Sequence, residues 1–544
     1  MEPAENAISK VLSEDIFNID ALYLGAIIAH QRGDLDLSLA RLQTGLSRRP
    51  DHFEMLNVLG NVQKEAHDLA RAEKAFRASL EVNPEYSVAR RNLAFVLMQM
   101  EQPHLALAEF TALPGAEQNT PRCALAKVIC LKDSHQLSAA EKSLSALAAS
   151  NPDTNYSFTR AQIYASQGRY DEAIEAYGHA FDDTKNGPKA IKNAAQILYM
   201  LNQWAAAQDL LTNLALHASP AGLAAIIDCY KEAGDISAAS TVLEDAKGRY
   251  GNLPAFLKAE SELALQLGHA HEAHAAATSA LNAAPGALEY MAQFARAALA
   301  AGAYNDVLIA AEGALKAVPN DQFWRAMLVT AGRATGQAYK HYFDYDGLVK
   351  VYDLAPPDGY ESIEAFNAAL SSALSELHVF KAAPLDQSLR RGTQTEFDLR
   401  FADAPVIQSF FKAIDAPIND YIDAIGHNPD HPMGRRNTGR YRISGAWSVR
   451  LGTGGFHVNH VHPMGWISSS YYVQVPQEVA GSAAHNGWIQ FGQPPIDISN
   501  LDPEHIIEPK AGRLVLFPSY LWHGTLPITE DAPRLTLPFD IIPA

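Results

Sequence analysis

Three histidines fall within six residues of FHVNHVHPMGWISSSYYVQVP, residues 456–476 of a 544-residue chain. Side chains on a strand alternate between faces, so His460 and His462 point the same way, and His457, three before His460, points the other. Such a strand offers a pair of imidazoles, and a third ligand must come from elsewhere. His523, in FPSYLWHGT, is the best candidate. Three imidazoles on one face with open coordination positions suit a first-row transition metal such as Fe(II). Any single one of the 20 histidines is more simply a polar core or surface residue; the strand-borne pair with His523 outweighs that reading. Arg534 follows His523 by 11 positions, and Thr536 shares its face. An arginine there can grip a carboxylate through two hydrogen bonds, and the hydroxyl can add a third. That suits a dicarboxylate co-substrate whose other end chelates the metal. The plainer alternative pairs Arg534 with Asp531 or Asp540.

Strands must position these groups. From Arg440 onward, β-branched and aromatic residues alternate with polar ones, and Gly/Pro turns recur. We expect strands at 440–450, 456–462, 466–475, 487–492, 504–508, 513–517, 521–526 and 534–541. Eight short strands in this span suit a double-stranded β-helix, the jelly-roll architecture. Its second and seventh strands are neighbours, so His460, His462 and His523 can converge. Upstream, 360–380 and 404–425 read as amphipathic helices, the latter with a break at Pro417, and Pro356-Pro357 marks a boundary.

The first 335 or so residues repeat. Pro50 and Pro84 lie 34 apart, as do Pro285 and Pro319. Leu59-Gly60, Ala72, Phe76 and Pro84 form the clearest unit. Leu93, Ala106 and Phe110 keep the same offsets, and Ala161, Tyr164, Gly168, Tyr170, Ala173, Tyr177 and Ala180 repeat the pattern, as do Gly302, Tyr304 and Ala314. A small residue lets two antiparallel helices approach, a large one four later fills the gap to the next hairpin, and proline ends the second helix. The pattern resembles the tetratricopeptide repeat, most clearly over 50–115 and 150–182 and less over 185–280. Eight or nine units fit between 18 and 335. The expected division is a repeat solenoid over 1–337, a helical connector over 338–430 and a β-domain over 431–544.

A net charge of −18 disfavours nucleic acid as the main ligand. Cys123, Cys130 and Cys229 form no disulfide framework and suit a reducing compartment. No apolar run long enough to span a membrane occurs and the N-terminus has no signal-peptide pattern, so a cytoplasmic location is expected.

HVHPMGWISSSYYV, GRLVLFPSYLWHGTLP and RLTLPFDI together resemble the 2-oxoglutarate- and Fe(II)-dependent oxygenases, specifically bacterial ones fused behind tetratricopeptide repeats. The likeness runs from about Pro384 to the C-terminus. It implies a metal triad of H-x-D/E with a distal His, and an Arg or Lys for 2-oxoglutarate. His460 matches the first ligand, His523 the distal one and Arg534 the co-substrate residue. His462 stands where a carboxylate is usual, as in related subfamilies that keep H-x-H; a neutral imidazole there leaves the metal one charge more positive. Tyr472, on the inward face with Ser468 and Ser470, can hydrogen-bond the co-substrate or serve as a core ring.

Several other runs are weaker signals. LGTGGF (451–456) reads as a hairpin turn into the metal strand, since no helix follows to make a phosphate loop. RRGTQT (390–395) laces helix to sheet or binds an anion, and GRRNTGRYR (434–442) reads as a solvated loop.

The resulting expectation is an α-solenoid joined to a double-stranded β-helix enzyme that uses Fe(II), 2-oxoglutarate and O2 to hydroxylate a C–H bond. A protein or peptide substrate is inferred from the repeats alone. Two alternatives stand: a three-histidine dioxygenase or cupin-like enzyme without 2-oxoglutarate, and an interaction scaffold with an inactive barrel. On this division the chemistry lies wholly after residue 455, and a fragment starting near 338 should still bind iron.

Overall fold

The computed structural model describes residues 2–66, 68–336, 340–498, 501–529 and 533–544. They form two compact units, Met1–Arg169 and Tyr170–Ala544. The first is all helical. After Glu2–Glu14, paired helices follow in order: Ile19–Gln31 with Leu35–Arg48, Phe53–Glu65 with Leu69–Val82, Ser87–Gln99 with Pro103–Thr111, and Pro121–Asp133 with Leu137–Ser150. Side chains of Asn18, Asp34 and Asp68 accept N–H groups that the first helical turns leave unpaired. Ala72, Phe76, Leu93, Ala106 and Phe110 are fully buried. Gly60 is small for a direct reason: a Cβ there would lie 2.6 Å from the Phe76 ring.

In the second unit the helical pairs continue through Leu288–Ala300 and Tyr304–Ala317, including the stretch where the repeat pattern is faint, and end in the single helix Gln322–Ala334. The β-domain follows. Its strands are β1 (Lys350–Asp353), β2 (Leu389–Gln394), β3 (Tyr441–Ala446), β4 (Val449–His457), β5 (Ile467–Gln474), β6 (Ile489–Phe491), β7 (His505–Ile507), β8 (Arg513–Pro518), β9 (His523–Thr525), β10 (Arg534–Leu537) and β11 (Phe539–Pro543). All pairings are antiparallel. One sheet runs β1-β8-β5-β10-β4-β2, with β3 and β11 joining at its side, and the other runs β7-β6-β9. An isolated bridge joins His460 to His523 beside β9. From β4 the chain meets β9 at the His460 bridge, returns to the larger sheet at β5, makes β6 and β7 in the smaller, and then alternates through β8, β9 and β10, which is the winding of a double-stranded β-helix. Phe491 and Phe517 meet between the layers at 5.0 Å. Helices Ile363–Glu376, Pro405–Ala413 and Asp415–Ile425 cover the larger sheet through Phe366, Leu370, Phe410 and Ile418.

Several expectations need correction. The span 440–450 holds two strands, because Trp447 and Ser448 separate β3 from β4. The span 456–462 is not one strand: β4 stops at His457, and beyond it only the His460 bridge pairs. The 534–541 strand divides at Pro538, which has no N–H to give a ladder. LGTGGF makes no hairpin turn. It lies within β4, where Arg390 pairs with Phe456 but Gly392 with Leu451, so residues 452–455 bulge outward. Gly455 belongs there because a Cβ would lie 2.7 Å from the Arg391 carbonyl. The helix break expected at Pro417 falls at Ile414; Pro417 occupies the next helix's first turn, where its missing N–H costs nothing. GRRNTGRYR is only partly solvated, since Arg436 donates 2.6 Å to the Gly465 carbonyl. The expected boundary at 337/338 lies outside the described residues.

The last repeat helix is tied to the ligand-bearing segments. Trp522 Nε1 donates 2.8 Å to Thr330 Oγ1, and the Gln322 N–H donates 2.9 Å to the Pro463 carbonyl. Val461, between two of the histidines, packs with Trp324, Met327 and Trp522. A fragment beginning at 338 therefore loses the wall behind both His462 and His523 and bares an apolar face. It is expected to aggregate, and any soluble fraction to hold less than one Fe(II) per chain. Light scattering and iron content check this; a monodisperse, fully iron-loaded fragment contradicts it.

Candidate metal centre

His460 and His523 face each other as a hydrogen-bonded antiparallel pair, with N–H to carbonyl distances of 2.9 and 3.0 Å. The His462 N–H donates 3.1 Å to the Ser519 carbonyl. These bonds bring one nitrogen from each of the three rings within 4.8 Å of the others. His460 Nε2 and His462 Nε2 are 3.2 Å apart. His523 is buried, while the other two rings are half-buried, which leaves an approach from one side.

The outer nitrogens set the tautomers. His460 Nδ1 donates 2.8 Å to the Val458 carbonyl, and His523 Nδ1 donates 2.9 Å to the Leu521 carbonyl. His462 Nδ1 lies 2.5 Å from Asp540 Oδ2. Each Nε2 is thus left as a lone pair aimed into the cluster, the form a metal requires. Asp540 is itself held by Ser468, whose hydroxyl donates 2.7 Å to Oδ1 and meets Ser519 Oγ at 2.9 Å. Ser468 and Asp540 oppose each other across β5 and β11.

Burial and the neighbouring His462 charge push the His460 pKa down to about 3. Burial, then repulsion from His460 and His462, pushes His523 well down too. His462 goes the other way: burial opposes its charge, but the Asp540 carboxylate and its hydrogen bond prevail and raise the pKa. A proton on His462 Nε2 excludes a metal, so metal affinity should bend downward at a higher pH than the other two rings would set. Asp540→Asn keeps an acceptor for Nδ1 but removes the charge. It should lower Fe(II) affinity about 10–100-fold at neutral pH. The bend should move to lower pH, and the two affinity profiles should converge in acid. Anaerobic Fe(II) titrations across pH test this; parallel profiles would show that Asp540 acts by packing alone.

His457 is not on the opposite face. Because β4 ends there, the alternation rule stops applying. Its ring centroid lies 5.9 Å from that of His460, and Ser388 Oγ sits 3.0 Å from His457 Nδ1 and 3.3 Å from His460 Nε2. Trp447 stacks over His462 at 6.0 Å.

Arg534 and Thr536 lie on β10, both buried, and Thr536 opposes Tyr472 of β5. The Arg534 guanidinium lies 5.4 Å from the Tyr472 ring centroid and donates to the Gly487 carbonyl. Arg534 is only 2% exposed, yet its Nε has no partner, and the buried Tyr472 hydroxyl also lacks one. Asp540 is taken by His462 and Ser468, and Asp531 lies outside the described residues. Among the described residues no carboxylate neutralises Arg534. A buried guanidinium beside an unpaired hydroxyl fits an incoming carboxylate. The residues present therefore fit both groups: three imidazole lone pairs for Fe(II), and Arg534 with Tyr472 for one end of 2-oxoglutarate.

The sequence does not assign Asp540 to His462. The motif RLTLPFDI shows the residue but not that the chain, exchanging β4 for β3 at Pro538, keeps its register along β5 and so sets Asp540 opposite Ser468. Ser388 escapes it too, because nothing in PLDQSL marks a contact with residues some 70 positions away.

Comparison with known families places this geometry. Residues 445–540 match the family described as "Putative 2OG-Fe(II) oxygenase", and residues 64–128 and 155–182 match tetratricopeptide-repeat families. The chain thus carries tetratricopeptide repeats and, behind them, a domain of 2-oxoglutarate–Fe(II) oxygenase type. Such repeats as a class bind proteins and peptides. None of the curated proteins matches. Among solved structures, a tetratricopeptide-repeat protein from Parabacteroides merdae is similar at 12% identity and TM-score 0.35, over 51% of this chain and 97% of that one. YrrB, a tetratricopeptide-repeat protein with an unusual peptide-binding site, is similar at 20% identity and TM-score 0.32, over 34% and 96%. A Pseudomonas putida prolyl-4-hydroxylase is similar at 17% identity and TM-score 0.26, over 37% and 96%. No helix among the described residues is long and apolar enough to cross a membrane.

Proposed function

We propose that this protein is a 2-oxoglutarate- and Fe(II)-dependent dioxygenase that hydroxylates a C–H bond of a protein or peptide brought to it by the repeats. His460, His462 and His523 hold the iron through Nε2. Arg534 binds the distal carboxylate of 2-oxoglutarate, with Tyr472 and Thr536 as hydroxyl partners. When bound, iron and 2-oxoglutarate supply the O2 activation and the oxidising equivalents: one 2-oxoglutarate, one O2 and one C–H bond give succinate, CO2 and an alcohol. The chain's own part is to orient and to tune. The carbonyls of Val458 and Leu521 fix two imidazoles, and Asp540 returns, one hydrogen bond out, the negative charge that an H-x-D motif would place on the metal. Burial around Arg534 excludes water and strengthens its hold on a carboxylate.

The observation that carries this reading is the buried Arg534, uncompensated among the described residues and next to an unpaired Tyr472 hydroxyl. A three-histidine enzyme without 2-oxoglutarate has no use for that charge. The test is anaerobic reconstitution with Fe(II) and 2-oxoglutarate, followed by O2. Succinate and CO2 formed in equal amounts support it. O2 consumption independent of 2-oxoglutarate would favour the three-histidine alternative, and neither reaction would favour the scaffold.

A further inference from the structure

A cleft of about 380 Å3 lies in the second unit between the repeat helices and the β-domain. Tyr199 and Glu232 line its helical side, and Lys381, Arg390, Arg391 and Arg450 line the other. The chain as a whole carries −18, yet none of these four cations makes an ion pair among the described residues. Arg390 reaches only the carbonyls of Gln387 and Leu389. Glu232, the carboxylate in the lining, shares Lys231 with the nearer Asp228 and Glu262, so against four cations it leaves the lining with an excess of positive charge. Four unneutralised cations gathered on one concavity of an acidic protein call for an anionic occupant.

Two features aim the cleft at the metal centre. Leu389 lines it and pairs with His457, and the preceding Ser388 touches both His457 and His460. Pro533 lines it as well, directly before Arg534. The strand edge carrying the cations is also strained: Arg391 has φ +52°, opposite the β4 bulge, and its guanidinium lies across Gly454, where a Cβ would be 2.8 Å away. Such a backbone persists only where its surroundings hold it, and it places this side chain at the cleft.

We propose that this cleft binds an acidic segment of the peptide substrate, with Asp or Glu side chains flanking the residue delivered to the metal. The inference rests on the oxygenase reading for what happens next, but not for the binding itself. The overall charge of −18 keeps polyanions away at long range, so a short acidic stretch, read locally, fits better than a nucleic acid.

The experiment measures fluorescence anisotropy of a labelled Glu/Gly repeat peptide on the full-length protein, against Gln/Gly and Lys/Gly peptides of equal length. The acidic peptide should bind most tightly. Binding should weaken as salt shortens the Debye length from about 10 Å at 0.1 M to about 3 Å at 1 M, a range in which the distant negative charges are already screened and the cleft cations dominate. Replacing Lys381, Arg391 and Arg450 together by Gln should weaken it about 10-fold or more, at roughly 2–5-fold per cation, with iron content retained. Equal binding of the Gln/Gly peptide overturns the inference, as does an iron-loaded triple variant that binds like wild type. Tighter binding of a single-stranded oligonucleotide overturns it in favour of a nucleic-acid groove. If the triple variant does not fold, the peptide-charge and salt comparisons on the wild type decide. Absence of 2-oxoglutarate-dependent succinate would remove the oxygenase reading and leave these measurements standing; loss of charge preference with succinate retained would remove only this inference.

Discussion

The His523→Ala protein should hold almost no Fe(II) at concentrations that saturate the wild type. Three nitrogens lie within 4.8 Å of one another, and this change leaves a pair. Loss of an outer partner of a metal-bound histidine costs about 10–100-fold in affinity, so loss of a ligand itself should cost more than about 100-fold. The backbone bridge between residues 460 and 523 uses main-chain atoms only and survives the substitution. Folding should therefore be retained apart from a cavity, because His523 packs at 4.6 Å on the Phe517 ring. His523→Gln fills more of that space and controls for it. Anaerobic Fe(II) titration, with circular dichroism for the fold, reads the outcome; unchanged iron content in a folded His523→Ala protein would remove this residue from the centre.

Arg534→Ala should raise the 2-oxoglutarate concentration needed for half-maximal succinate formation while leaving iron bound. A charge-assisted hydrogen bond of this kind contributes about 1.5–3 kcal/mol, or roughly 10–150-fold. Arg534→Lys restores the charge but not the planar fork and should fall between the two. The free protein should behave differently. Burial presses on the Arg534 charge, lowering its pKa, and no carboxylate among the described residues offsets that pressure. Without 2-oxoglutarate, then, removal of the guanidinium should destabilise little, whereas 2-oxoglutarate should stabilise the wild type and not Arg534→Ala. Thermal unfolding with and without 2-oxoglutarate separates these cases. Equal 2-oxoglutarate requirement in both proteins would show that Arg534 holds the loop at Gly487 and nothing more.

Much of this is legible in the order of the amino acids alone. The offsets of Gly60, Ala72, Phe76 and Pro84 announce helical pairs because close helix approach admits only small residues, and a ring must fill what they leave. H-x-H, the later histidine and the arginine 11 positions beyond it are enough to nominate His460, His462, His523 and Arg534. Local rules serve here because a strand's period of two dictates which neighbours share a face.

Those rules fail where pairing, not period, sets direction. Counting by twos puts His457 on the far face, but the strand being counted ends at His457 itself. The Gly run becomes a bulge because β2 offers one residue opposite four. Asp540 cannot be matched to His462 from spacing, since the match depends on β10 and β11 pairing with β5 in one register that sets Asp540 opposite Ser468. The dependence of the centre on the last repeat helix is equally hidden. The bond from Trp522 to Thr330 spans 192 positions, and its strength comes from burial that no local pattern records. The sequence by itself therefore determined the element types, the repeat packing and the chemically capable side chains, all of which follow from spacing along one chain segment. Only the tertiary structure decided which carboxylate charges the third imidazole, which cation stays unpaired and which helix stands behind the ligands, because each depends on segments that meet across the sheets.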